Sequence, residues 1–145
     1  MQKLGIQSVS RRRRPYTRYL DSIYRYENLI NREFNAEFPN QKWVTDITYI
    51  PTKQGNLYLS AIKDLHDGYI VNHQIGTDQN INLVITTIKN ALIKEKVAGG
   101  LALHSDQGFQ YSSHAYFSLI QAYNITPSMS RRGNCLDNAC MENFF

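Results

Sequence analysis

The hydrophobic pattern changes twice along the chain. Up to Asn40 apolar residues are scattered among Tyr, Arg, Asn and Glu, and residues 16–38 are compatible with one short helix. Lys42 to Ile50 (KWVTDITYI) is dense in β-branched and aromatic residues and predicts a strand. Two more strands are predicted at Leu57–Lys63 and Tyr69–Gly76, separated by turn-forming residues around Gly55 and Gly68. Short connections of this kind make an antiparallel meander.

From Asn80 the apolar period lengthens from two to 3.6. Ile81, Val84, Ile85, Ile88, Ala91 and Leu92 form one stripe, which predicts an amphipathic helix stopping at Gly99-Gly100. Leu101-Ala102-Leu103 is a short strand of the buried type that runs into His104-Ser105-Asp106. A second helix is expected from Ser112 or Ser113, with Tyr116, Phe117, Leu119 and Ile120 inward. A strand near Ile125–Met129, a loop through Arg131-Arg132-Gly133 and a last helix from about Leu136, carrying Glu142, complete the order β-β-β-α-β-α-β-α. A meander followed by α-β units implies an α/β fold with a mixed sheet flanked by helices.

A chain of 145 residues suits one core-forming domain. Neither a membrane-spanning run nor a signal-peptide stretch is evident, so a cytoplasmic protein is expected. Cys135 and Cys140 fit neither a zinc knuckle nor a redox pair, and read as small residues packed on a helix in a reducing compartment. The net charge of +4 is unevenly placed. Residues 1–40 hold eight basic side chains against four acidic ones, leaving eight of each in residues 41–145. An arm containing Arg11, Arg12, Arg13 and Arg14 suggests contact with a polyanion, most simply nucleic acid, although a solvated linker has the same composition.

Asp46 stands out among the carboxylates, because it lies mid-strand between largely apolar faces, where a charge must be paired, hydrogen-bonded or bound to a cation. Asp106 follows a short apolar strand, the place where ligand sites gather in parallel and mixed sheets, and Gly108 permits a tight turn beside it. Glu142, alone, is an ordinary helical Glu. Two central strands can set the aspartates side by side, and a helix packed on the sheet can bring Glu142 to them. Three converging carboxylates repel one another unless a cation intervenes, and oxygen donors without His or Cys select Mg²⁺ or Mn²⁺. Other acidic residues have structural readings: Asp67 precedes a turn glycine, Asp78 lies near a helix start, Glu95 sits among lysines, and Asp137 suits a cap of the last helix.

The blocks Trp43–Ile50, His104–Tyr111, Ser128–Ser130 and Gly133–Ala139, with Glu142 and Phe145, resemble the integrase-like transposases of bacterial insertion sequences. These are the second reading frame (OrfB type), related to the retroviral integrase catalytic core. The 35 residues between Asp106 and Glu142 match that family's spacing. The resemblance covers about residues 40–145. It implies a ribonuclease H-like fold with a five-stranded mixed sheet, a DDE triad of Asp46, Asp106 and Glu142 holding two Mg²⁺ (or Mn²⁺) ions, and metal-dependent DNA cleavage and strand transfer in a bacterial cytoplasm. Residues 1–39 would be a basic arm, the tail of an upstream helix-turn-helix region, and residues 40–145 a catalytic core cut short after Glu142. Arg131 and Arg132, with the arginine run, would hold DNA phosphates at element ends and target, in an active homo-oligomer. His104 has two readings, a hydrogen-bonded packing residue or a group beside the metals. The rivals are a ribonuclease H-like nuclease that hydrolyses without joining, an inactive DNA-binding remnant or regulator of transposition and, more remotely, a phosphoacceptor domain, against which the leading meander argues.

Overall fold

The computed structural model describes residues 24–145. Strands β1 (Lys42–Thr52), β2 (Gly55–Asp64) and β3 (Ile70–Gly76) form the expected meander. Helix α1 (Ile81–Glu95), strand β4 (Ala102–Ser105), helix α2 (His114–Ala122) and strand β5 (Thr126–Met129) follow. A 3-10 turn (Cys135–Asn138) leads into the four-residue helix α3 (Ala139–Glu142). The sheet order is β3-β2-β1-β4-β5, with β2 antiparallel to both neighbours and β1, β4 and β5 mutually parallel. The five-stranded mixed sheet flanked by helices is therefore as the sequence implies.

Alternation along the strands sends successive side chains to opposite faces. Trp43, Ile62, Val71 and Leu103 pack with Val84, Ile88 and Leu92 of α1 and Tyr116 and Ile120 of α2. On the other face Val44, Ala61 and Leu65 pack with Ile30 and with Met141 of α3. Both long helices begin on the caps their sequences suggest: Asn80 Oδ1 accepts from the Leu83 amide, and Ser113 Oγ from that of Tyr116.

Two expectations meet differences, the second only over residues 24–38, since residues 16–23 lie outside the described residues. Helix α1 does not run to Gly99-Gly100. It stops at Lys96, which takes the left-handed conformation (φ 51°) and turns its N–H back to the Ile93 and Leu92 carbonyls. Residues 24–38 contain no helix. Tyr24, Tyr26, Asn28 and Ile30 turn inward while Arg25, Glu27 and Leu29 face solvent, a period of two. Hydrogen bonds from the Met129 amide to Glu27 O and from the Leu29 amide to Ser128 Oγ hold this stretch along β5, and Tyr24 stacks on Phe117. Arg11, Arg12, Arg13 and Arg14 lie outside the described residues. Among the described residues no helix is long and apolar enough to cross a membrane.

Candidate active site

The parallel pairing of β1 with β4 covers only Lys42–Val44 against Ala102–His104. Beyond it the two strands part, and β1 continues paired to β2 alone, with Asp46 opposite Ala61. Asp46 thus sits where the buried stretch Trp43–Thr45 gives way to the exposed stretch from Tyr49. Asp106 occupies the first position after β4. Glu142 ends α3, which lies against β1 with Met141 fully buried in the Val44 cluster. The three carboxylates line one pocket of about 500 Å³, together with Gln107, Gly108, Ser130, Arg131, Arg132, Gly133, Asn134 and Asn138.

Each aspartate is oriented by its own neighbourhood. Asp46 Oδ1 accepts from the Ile47 amide at 2.8 Å, and Asp106 Oδ1 from the Gly108 amide at 2.8 Å. Among the described residues nothing donates to the second oxygen of either side chain. Glycine keeps that spot open for the Asp106 carboxylate: a Cβ there would lie 2.9 Å from Asp106 Oδ1 and 3.0 Å from Gln110 Oε1, and the side chains would have to shift. Burial raises the Asp46 pKa to about 6, and the charges of Asp106 and Glu142 push it the same way, against the Ile47 hydrogen bond. Burial also raises Asp106, opposed by its bond from Gly108.

The pocket offers hard oxygen donors, two of them fixed by one hydrogen bond each, with pKa values elevated by burial. Mg²⁺ or Mn²⁺ fits this donor set. Glu142 is exposed, and among the described residues no three His, Cys, Asp or Glu side chains are drawn tightly enough together to form a closed metal cluster. The aspartates are set by the sheet, and the glutamate lines the same pocket from a short helix.

His104 is a packing residue. Its ring is fully buried, with Nε2 2.9 Å from the Asp137 carbonyl and Nδ1 2.8 Å from Ser128 Oγ. The carbonyl can only accept, so Nε2 carries the proton and Ser128 donates its hydroxyl to Nδ1. Burial lowers the His104 pKa, which keeps the ring neutral.

Asp137 was expected to cap the last helix, and here the structure differs. It makes no capping bond and is instead a buried ion-pair centre, receiving Arg131 and Arg32. Arg131 lines the pocket, but its Nε and Nη2 are directed to Asp137 at 2.8 and 2.9 Å. Arg132 is exposed at the pocket and has no ion-pair partner among the described residues. The sequence reading missed Asn138. This side chain is 4% exposed, lines the pocket, and its Oδ1 has no hydrogen bond. Its sequence signals are its place in the Gly133–Ala139 block and its position one helical turn before Glu142.

The sequence pattern of the integrase core domain matches residues 36–135. The chain belongs to the integrase core family. This integrase core is 38% identical over 146 residues to an uncharacterized transposase-like protein of Haemophilus influenzae, covering all of this chain and 67% of that one. It is 43% identical over 118 residues to the transposase for insertion sequence element IS904 of Lactococcus lactis, covering 81% of this chain and 47% of the relative. Transposase InsF for insertion sequence IS3A of Escherichia coli is 38% identical over 119 residues, with coverages of 82% and 41%. The chain therefore spans less than half the length of the latter two. Among solved structures, the HTLV-2 integrase catalytic core domain in complex with magnesium superposes with a TM-score of 0.62 at 17% identity, covering 75% of this chain and 66% of that one. The simian T-cell lymphotropic virus intasome in complex with PP2A regulatory subunit B56 gamma gives 0.67 at 18% identity, with coverages of 76% and 38%. At such identities the likeness establishes the ribonuclease H-like fold.

Proposed function

We propose that this integrase core is the catalytic part of an insertion-sequence transposase, and that Asp46, Asp106 and Glu142 act as a DDE triad in metal-dependent DNA cleavage and strand transfer. One observation carries the reading: Asp46, just past the stretch of β1 that pairs with β4, and Asp106, just past the end of β4, share a pocket with a glutamate from the last helix. The oxygens of these three residues would hold two Mg²⁺ or Mn²⁺ ions. Bound there, such ions lower the pKa of an attacking water or DNA 3′-hydroxyl and stabilise the departing 3′-oxygen.

The protein's own residues supply orientation and substrate grip. The Ile47 and Gly108 amides hold one oxygen of each aspartate, and the other oxygen would be the one offered to the ligand. Gln107 Nε2 donates to the Ser130 carbonyl and fixes one wall of the pocket to the other. Arg132, the N–H groups of Arg131 that Asp137 does not use, and the arginine run Arg11–Arg14 would contact phosphates of the element ends and target. The working unit would be a homo-oligomer joined to an upstream helix-turn-helix region.

The test is cleavage and joining of DNA carrying the element's ends, with Mg²⁺, by the full-length transposase. Asp46→Asn, Asp106→Asn and Glu142→Gln should each abolish both reactions. Near-normal activity in any one of them refutes the triad, and DNA binding without Mg²⁺-dependent nicking by the unaltered protein would mark a non-catalytic regulator instead.

A further inference from the structure

Both ion pairs found among the described residues converge on one buried carboxylate, that of Asp137, five positions before Glu142. Its Oδ2 accepts from the Arg131 amide (2.9 Å), Arg131 Nε (2.8 Å) and Asn28 Nδ2 (2.9 Å), and its Oδ1 from Arg131 Nη2 (2.9 Å) and Arg32 Nε (3.2 Å). Its backbone carbonyl accepts from His104 Nε2. Arg32 Nη2 also reaches Asn134 Oδ1 at 3.2 Å. One residue thus joins the segment before β1, the loop after β5, strand β4 and the turn into α3.

The helix that carries Glu142 is poorly anchored by itself. It is a single turn with no side-chain cap, held on the sheet by buried Met141 and by a 3.4 Å hydrogen bond from Lys63 Nζ to the Cys140 carbonyl. A helix so short does not hold its own direction. The direction is set by the chain that leads into it, and Asp137 is the point where that chain is fixed. We infer that Asp137 is a positioning residue for the proposed metal site: through Arg131, Arg32 and His104 it holds the 131–138 segment so that α3 presents Glu142 to the pocket of Asp46 and Asp106. The Arg131 guanidinium is part of this clamp as well as of the pocket wall. The inference rests on the triad reading for its consequence but on its own contacts for its mechanism, and the two are tested separately.

The first measurement is amide hydrogen exchange on the 145-residue chain without metal. Asp137→Ala should lose protection across residues 131–145 and keep that of β1 to β3, and Arg131→Gln should show a weaker form of the same pattern. Unchanged exchange in 131–145, or loss spread evenly over the sheet, overturns the clamp. The second is Mn²⁺ titration by calorimetry. Asp137→Ala should weaken Mn²⁺ binding about tenfold. Because that loss runs through Glu142, Asp137→Ala added to Glu142→Gln should weaken binding no further than Glu142→Gln alone. Additive losses would show Asp137 to be merely structural and overturn the positioning role. Failure of the unaltered chain to bind Mn²⁺ overturns that role together with the metal reading, and the exchange pattern still decides whether the clamp exists.

Discussion

Asp106 stands at the same offset from Asp46 as each paired residue of β4 from its partner in β1: Val44 faces His104, and two positions further on both chains stand the two carboxylates. The parallel ladder ends two positions short of them. Had it continued, the pair would be neighbours within a sheet; because the strands part, the two side chains line an open pocket instead. Burial first, and the neighbouring charges after it, make the ionised Asp46 costly in the folded state, and a cation bound there would offset that cost.

Removing one of these charges should accordingly stabilise the metal-free protein. The folded-state pKa of Asp46, about 6, lies above its ordinary value of 3.8. The folded chain therefore binds more protons than the unfolded chain between those values, and stability contributed by this group rises as pH falls through the window. At neutral pH the ionised Asp46 costs on the order of 1–2 kcal/mol once solvent screening in the pocket is allowed for. Asp46→Asn should raise Tm at pH 7 without metal, and Mg²⁺ should raise the Tm of the unaltered chain but not of the variant. A lower Tm for Asp46→Asn at pH 7 would contradict this account.

The same shift gives cation binding a pH dependence. A proton on Asp46 competes with the cation, so Mn²⁺ affinity should fall as pH drops below about 6. Calorimetry in buffers of different ionisation enthalpy should show proton release on binding near pH 6, and almost none at pH 8. Equal affinity at pH 5 and pH 7 would place the ion elsewhere.

Gly108→Ala should damage the site more than the fold. Its added Cβ meets Asp106 Oδ1 at 2.9 Å, and the carboxylate must leave the position in which the Gly108 amide holds it. Forcing that side chain off its rotamer costs about 1 kcal/mol, so the variant should fold. Mn²⁺ affinity should nevertheless drop about tenfold, since an orienting partner of a ligand is disturbed. Unchanged Mn²⁺ binding in a folded Gly108→Ala would show that Asp106 does not need this orientation.

Much of this arrangement is written locally. The switch from period two to 3.6 marks the meander and α1, and the misplaced charge of Asp46 needs only its own strand to be noticed. What the sequence hides depends on partners far along the chain. Asp137 looks like a cap because Asp beside a helix start is ordinarily one, whereas it binds Arg131, six residues earlier, together with Arg32 and Asn28, more than a hundred residues earlier. His104 is settled by Ser128 and by a backbone carbonyl, neither of which a pattern of side chains reveals. The stop of α1 misleads for a different reason. Left-handed backbone is ordinarily a glycine's place, and here Lys96 takes it three residues before the first glycine.

A last prediction separates a carboxylate that holds the fold from those that hold a cation. Asp64 is buried, and its three hydrogen bonds all serve the chain: Oδ2 accepts from the Asn40 amide at 2.7 Å and from Trp43 Nε1 at 3.3 Å, and Oδ1 from the His66 amide at 2.9 Å. It closes the start of β1 onto the end of β2, where Trp43 pairs with Asp64 across the ladder. Asp64→Ala leaves an indole N–H without a partner in the core and two amides without acceptors, a loss of about 3 kcal/mol. Asp46→Asn should do the reverse, gaining stability and losing Mn²⁺. At a temperature where both variants are folded, Asp64→Ala should bind Mn²⁺ like the unaltered chain. If it bound no better than Asp46→Asn, the pocket would owe its affinity to general acidity, and the distinction drawn between the two carboxylates would not stand.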